Sequence, residues 1–171
     1  FKYDPRNGSV KNYTHEENNP HSLSENRAWT ILADHKNNIW IGNSDGALDL
    51  FDRESGKFVH FDTKRPWKHF AVILAIYEDS KGRIWVGMEG SGLKLFNRDK
   101  GTFKSYTVED GLPSNYISAI EEDQHGNLWL GTNHGIASFN PETAHIINYG
   151  LSDGLQSLQF NRMSSIKLSA G

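Results

Sequence analysis

Residues 122–142 read EDQHGNLWLGTNHGIASFNPE, and two earlier stretches say nearly the same thing: YEDSKGRIWVGMEGSGLKLFNRD at 77–99 and LADHKNNIWIGNSDGALDLFDRE at 32–54. The tryptophans set the period, since Trp40 to Trp85 is 45 residues and Trp85 to Trp129 is 44. Gly42, Gly87 and Gly131 follow each Trp by two positions, and Asp34, Asp79 and Asp123 precede it by six. Aromatics keep step behind them: Phe51, Phe96 and Phe139, then Phe61, Tyr106 and Tyr149. A period of ~40–50 residues without a helical pattern is the signature of propeller blades rather than a helical solenoid.

Each unit divides into four short strands. In the last one they are NYISAIEED, NLWLGT, GIASFN and HIINY. Alternation in the first places Tyr116, Ser118 and Ile120 on one face and Ile117 and Ala119 on the other. Runs this short, rich in β-branched and aromatic residues and punctuated by Gly, Asn and Asp, predict an antiparallel meander. DQHGN and DSKGR are hairpin turns: the Asp accepts from a turn N–H, and Gly126 or Gly82 takes positive φ. Asn37 holds that place in the first unit, and Asn tolerates the left-handed region next best. Trp40, Trp85 and Trp129 are expected at equivalent buried positions between neighbouring blades. A blade cannot hide such a face alone, so it needs neighbours.

The fold class is therefore all-β, an arc of four-stranded antiparallel blades. Residues 1–13 match the end of a third strand and a fourth (YDPRNGSVKNY against FDRESGKFVHF). Complete blades are expected at 14–61, 62–106 and 107–149, and 150–171 reads as the start of a further, last blade. That makes fifteen strands, fewer than a closed ring of roughly 4–8 blades requires. The reading is an open arc of a larger propeller whose end faces expose apolar area and favour association, including a possible dimer.

Composition narrows the function. The chain has 171 residues, 18 basic and 21 acidic, for a net charge of −3. That leaves no basic footprint for nucleic acid. Cysteine is absent, which excludes disulfides, thiolate metal sites and cysteine nucleophiles. No apolar run approaches the ~18 residues of a membrane span, so no direct membrane contact is expected here. The start, FKYDPRNG, is neither a signal nor a transit peptide, so an export signal or anchor would lie outside this stretch.

GLPSNYISAIEEDQHGNLWLGTNHGIASFNPETAHIINY, residues 111–149, resembles the regulator-propeller repeat of two-component sensors. The units around Trp40 and Trp85 share the W-x-G core but open with PHSLSENRAW and KRPWKHFAVI instead of GLPSN. The resemblance implies a periplasmic propeller of seven blades, followed by a small immunoglobulin-like domain, a membrane helix and a histidine kinase. It also implies a hybrid sensor of the Bacteroidetes type that responds to glycan fragments. GLQSLQFNRMSSIKLSAG, residues 154–171, looks like the last repeat before the small domain, departing from the pattern at LQFN.

Catalytic motifs are missing. HEENN at His15 breaks HExxH, and GMEGSGL around Ser91 has the wrong spacing for GxSxG. No P-loop, GxGxxG or EF-hand loop occurs, so no catalytic residue, metal or cofactor is assigned. The recurring Asp34, Asp79 and Asp123 read as turn acids, and the scattered histidines as solvated turn residues. What repeats is scaffold, and what varies at one end of the blades is the candidate site. One set of variable loops is 14–25, 62–69, 107–114 and 150–159; the other is 43–46, 88–91 and 132–134. Together they hold Arg65, Trp67, His69, Glu89, Asn133 and His134, with Arg27, Asn115 and Arg162 near inner-strand starts. RPWKHF puts an aromatic face beside cations and an imidazole, a workable sugar platform. The competing reading buries Trp67 under its loop or against a partner domain. Three functions compete: a ligand-sensing segment of a sensor kinase taking an oligosaccharide or other small ligand, a lyase resembling streptogramin lyases, and a protein-interaction platform.

Overall fold

The computed structural model describes residues 1–63 and 72–161. Fourteen strands fall among them. β1 (Lys2–Asp4) and β2 (Ser9–Lys11) form a two-stranded hairpin. The first blade is β3 (Ala28–Ala33), β4 (Ile39–Asn43), β5 (Ala47–Phe51) and β6 (Phe58–Asp62). The second is β7 (Ile73–Glu78), β8 (Ile84–Met88), β9 (Leu93–Asn97) and β10 (Thr102–Tyr106). The third is β11 (Ile117–Glu122), β12 (Leu128–Thr132), β13 (Gly135–Phe139) and β14 (Ile146–Tyr149). All three are antiparallel meanders in sequence order. The only helical pieces among the described residues are 3-10 turns at Val108–Asp110 and Leu151–Asp153. The fifteenth strand expected in 150–171 is not seen in 150–161, and residues 162–171 lie outside the described residues.

The turns form as their residues dictate. Asn37 sits at φ 61°, Gly82 at 75° and Gly126 at 81°. Asp34 Oδ1 accepts from the backbone of Lys36 and Asn38, and Asp79 and Asp123 repeat the pattern. Strict alternation in the inner strands fails, however. A register shift lies between Ile117 and Ala119, and Ile117, Ser118, Ala119 and Ile120 are all buried. The bulge turns successive residues into the interior where the inner strand is covered on both sides. The same shift occurs at Ile73/Ala75 and Ala28/Thr30.

Stacking of blade on blade makes the core. Trp40 meets Phe96 of the second blade edge-on at 5.4 Å and Phe61 of its own at 6.1 Å. Trp85 meets Phe139 at 5.5 Å and Tyr106 at 6.1 Å in the same way. Each buried indole stabilises its joint by on the order of 3 kcal/mol. Trp129 departs from the expectation of equal burial: it is 37% exposed, against 1% for Trp40 and 0% for Trp85. Among the described residues it stacks only on Tyr149, at 5.3 Å and 23°, since no described blade covers its other side. The glycines two residues on allow the close approach. A Cβ at Gly42 would lie 2.8 Å from Ile73 Cβ, and one at Gly87 would lie 2.8 Å from the Ile117 carbonyl oxygen.

The first blade has the opposite open face. Tyr13 and Phe51 pair at 4.9 Å, as Phe61/Phe96 and Tyr106/Phe139 do at 4.7 Å. A cleft of about 560 Å3 remains there, lined by Trp29, Ile31, Ile39, Ile41 and Phe51. Ile31 is 69% exposed, whereas Ile76 and Ile120, at the same place in the next blades, are 9% and 4%. The cleft thus lies on the face that in the other two blades is a joint, and among the described residues Phe1 and Lys2 at the N-terminal hairpin line it instead of a full blade.

Candidate functional site

The two ends of the blades are built differently. The lower end carries the β3–β4 and β5–β6 turns and their equivalents, and its chemistry repeats. Asp34, Asp79 and Asp123 each accept a hydrogen bond from the Trp Nε1 six residues on, at 2.9, 2.8 and 3.0 Å. Burial alone would raise Asp34, but bonds from the Trp40 indole, Asn38 and Arg98 outweigh it and hold the carboxyl well below the usual range. Burial opposes in Asp123 too; bonds from the Asn127 backbone, the Trp129 indole and the Asn127 amide bring it to about 2. Charged groups then tie blade to blade. Arg98 donates to Asp34 at 2.9 Å and lies over the Trp40 ring at 5.1 Å. Arg83 donates to Asp79 at 2.6 Å and to Glu142 of the third blade at 2.8 Å. Glu78 takes the His35 backbone N–H at 2.7 Å and contacts its Nδ1 at 2.6 Å. Glu122 takes the Ser80 backbone N–H at 2.8 Å and its hydroxyl at 2.7 Å. These are scaffold groups, as the turn-acid reading expects. The Asp–Trp bond and the two glutamate clamps were not foreseen, though the constant six-residue spacing was their visible trace.

At the upper end the described residues of the two loop sets meet. Ser44 N–H donates to the Arg27 carbonyl, Glu89 N–H to that of Val72, Gly92 N–H to that of Asn115, and Gly135 N–H to that of Leu158. Ser114 donates to Asn133 Oδ1 at 2.6 Å, and His134 Nδ1 lies 3.2 Å from the same oxygen. Asn133, His134 and Ser114 are thereby one exposed cluster on the third blade. Glu89 joins the inner-strand start of the second blade through its backbone. Arg65, Trp67, His69 and Arg162 lie outside the described residues. The flanks of the 64–71 segment do belong to this end: the Thr63 hydroxyl donates to the Gly46 carbonyl at 2.8 Å, and the Val72 carbonyl accepts from Glu89.

Beneath these loops one position on the third strand differs in every blade. In the first it is Asp49, fully buried, which accepts from the Ser24 N–H and hydroxyl at 3.0 Å and from Asn43 at 2.9 Å. Its register partner His60 places Nδ1 2.7 Å from Asp49 Oδ1 and Nε2 3.0 Å from the Pro20 carbonyl. That network pins loop 14–25, over a cleft of about 300 Å3 lined by His15, Glu16, Asn19, Ser24 and His60. In the second blade the position is Lys94, buried, donating to its partner Ser105 at 2.8 Å. Burial pushes its ammonium below the ordinary lysine value. In the third it is Ala137, packed in one cluster with Leu112, while its partner Asn148 donates to the Gly111 carbonyl. Sequence reasoning missed this position, since it looked for variation in loops and not in a strand. Among the described residues, no group of three or more His, Asp or Glu side chains could hold a metal ion, and no helix is long and apolar enough to cross a membrane.

The repeat pattern described as "Two component regulator propeller" matches residues 22–45, 70–90 and 111–134. Histidine kinase P4 of Formosa agariphila is 33% identical over 167 residues, covering 94% of this chain and 12% of the kinase. The extracellular domain of the hybrid two component system BT3049 from B. thetaiotaomicron superposes with TM-score 0.72 at 23% identity, over 85% of this chain and 20% of that one. That of BT4673 from the same organism has TM-score 0.66 at 25% identity, over 79% of this chain and 20% of that one. The chain thus spans about an eighth to a fifth of the length of these relatives. It is built from two component regulator propeller repeats and is related to the extracellular domains of Bacteroides hybrid two-component systems and to histidine kinase P4.

Proposed function

We propose that this chain is a ligand-sensing segment of the periplasmic propeller of a two-component sensor histidine kinase, and that it responds to an oligosaccharide. It carries out no chemistry itself. Its partners in the parent chain are the remaining blades and a following immunoglobulin-like domain. The observation that carries this reading is the threefold match to the regulator propeller repeat, joined to the relation with histidine kinase P4. The blade divisions at 13/14, 61/62, 106/107 and 149/150 belong to the same proposal. So does a ligand surface at the upper end made by Arg65, Trp67, His69, Glu89, Asn133, His134 and Arg162. Rigid joints at the lower end suit a sensor, because a ligand bridging two blades can then shift one against the other as bodies.

Calorimetry with oligosaccharides from depolymerised polysaccharides tests it. Saturable binding is expected, weakened about tenfold or more in Trp67→Ala with little change in melting temperature. Product release from a bound sugar would overturn the reading. So would undiminished ligand-dependent autophosphorylation of the parent kinase once this segment is replaced by an unrelated propeller.

A further inference from the structure

The varied third-strand position is the one place where the blades disagree about charge in the interior. In the first blade Asp49 is satisfied by Ser24, Asn43 and the His60 imidazole. The third blade carries no charge there. In the second, Lys94 is 5% exposed and pairs in register with Val86 on one side and Ser105 on the other. Met88 and Phe96, buried residues of the same joint, are apolar. Among the described residues no carboxylate pairs with Lys94; its one hydrogen bond goes to the neutral Ser105 hydroxyl. The sequence at 64–71, KRPWKHFA, contains no Asp or Glu. Burying an ammonium without a counter-charge costs several kcal/mol, and such a cost is retained mainly where function uses the charge.

We propose that Lys94 and Ser105 form an anion subsite at the upper end of the second blade, which takes the carboxylate or sulfate of an acidic oligosaccharide. This rests on the sensing reading above and narrows its ligand class. Lys94 is the second residue of β9 and Ser105 the fourth of β10, so the pair sits near the end where the variable loops converge. An arriving anion restores to the ammonium the compensation that Asp49 receives from its neighbours in the first blade. Ser105 donates its hydroxyl proton to the anion while accepting from Lys94.

Thermal unfolding of the chain and of Lys94→Met, at fixed ionic strength, tests the proposal with trigalacturonate, a sulfated galactan tetrasaccharide and neutral galactotriose as probes. The unliganded variant should melt higher than the wild type, since a buried charge is gone. At least one acidic probe should raise the wild-type melting temperature, and its apparent affinity should fall at least tenfold in Lys94→Met. Response to trigalacturonate alone assigns a carboxylate, and response to the sulfated probe alone assigns a sulfate. Equal responses of the two proteins to the acidic probes, or a lower melting temperature for Lys94→Met, would overturn the subsite. No wild-type response to either acidic probe would overturn it too, and a shift with galactotriose would then leave the sensing reading standing without it.

Discussion

At the lower end of the second blade, Asp79 accepts from the Trp85 indole, the Arg83 guanidinium and two turn amides. Toward its upper end, on the third strand, Lys94 has one hydroxyl. Both are buried charges in one blade, and they are treated in opposite ways. The lower charge is fully compensated, recurs at Asp34 and Asp123, and binds a turn to the joint. The upper one recurs nowhere and lacks a described counter-charge. Stability explains the first, because every hydrogen bond to Asp79 holds a turn or an indole in place. It does not explain the second, whose single neutral partner leaves the cost of burial standing.

The comparison breaks most sharply at Asp79. Asp79→Ala should cost about 2–3 kcal/mol, because it leaves the Trp85 N–H without its acceptor inside the joint and frees two turn amides, while Arg83 keeps only Glu142. Urea unfolding measures it as a drop in midpoint at unchanged slope. Asp123→Ala should cost only about 1 kcal/mol, since the Trp129 it serves is exposed to water that can replace the lost bond. Equal costs would mean that joint burial is not what gives the hook its strength. Next comes Gly87→Ala, whose methyl would press on the Ile117 carbonyl of the third blade, at about 1–3 kcal/mol. Gly131→Ala meets Ala119 at 3.3 Å and Phe160 at 3.4 Å and should cost less than about 1 kcal/mol.

Acid gives a smaller, graded effect. Asp34 and Asp123 have folded-state pKa values below the unfolded value of about 3.9. Their contribution is therefore complete above about pH 5 and is lost as pH falls toward 2. Urea midpoints measured across that window should fall with decreasing pH, and Asp34→Asn should flatten the curve. An unchanged slope in the variant would show that the Asp34 hook carries no proton-linked stability.

The repeat, the strand count per blade and the turn chemistry were legible in the sequence. They depend on local rules: Asn37 and Gly82 are where they are because of φ, and Asp79 because of the amides two and four residues on. The partners across joints were less legible. Nothing local says that Arg98 will reach Asp34 or that Glu122 will hold Ser80, because those pairs arise from how blades stack. The inner-strand alternation misled for a related reason. Ser118 and Ile117 both turn inward at a bulge set by the tertiary cover over them. Trp129 shares its motif with Trp40 and Trp85, yet burial belongs to the neighbour and not to the motif. At the upper end Asn133 and His134 were readable as loop residues, but Lys94 sits inside a strand, where alternation labels it only as one face.

The most direct test sets the two buried charges of the second blade against each other in urea unfolding of Asp79→Asn and Lys94→Met. The midpoint should fall for Asp79→Asn, because the lower charge is part of the scaffold, and should rise for Lys94→Met, because the upper one is held at a cost. A fall in both would contradict the account: Lys94 would then be a structural group like Asp79, and the two ends of the blade would not differ in purpose.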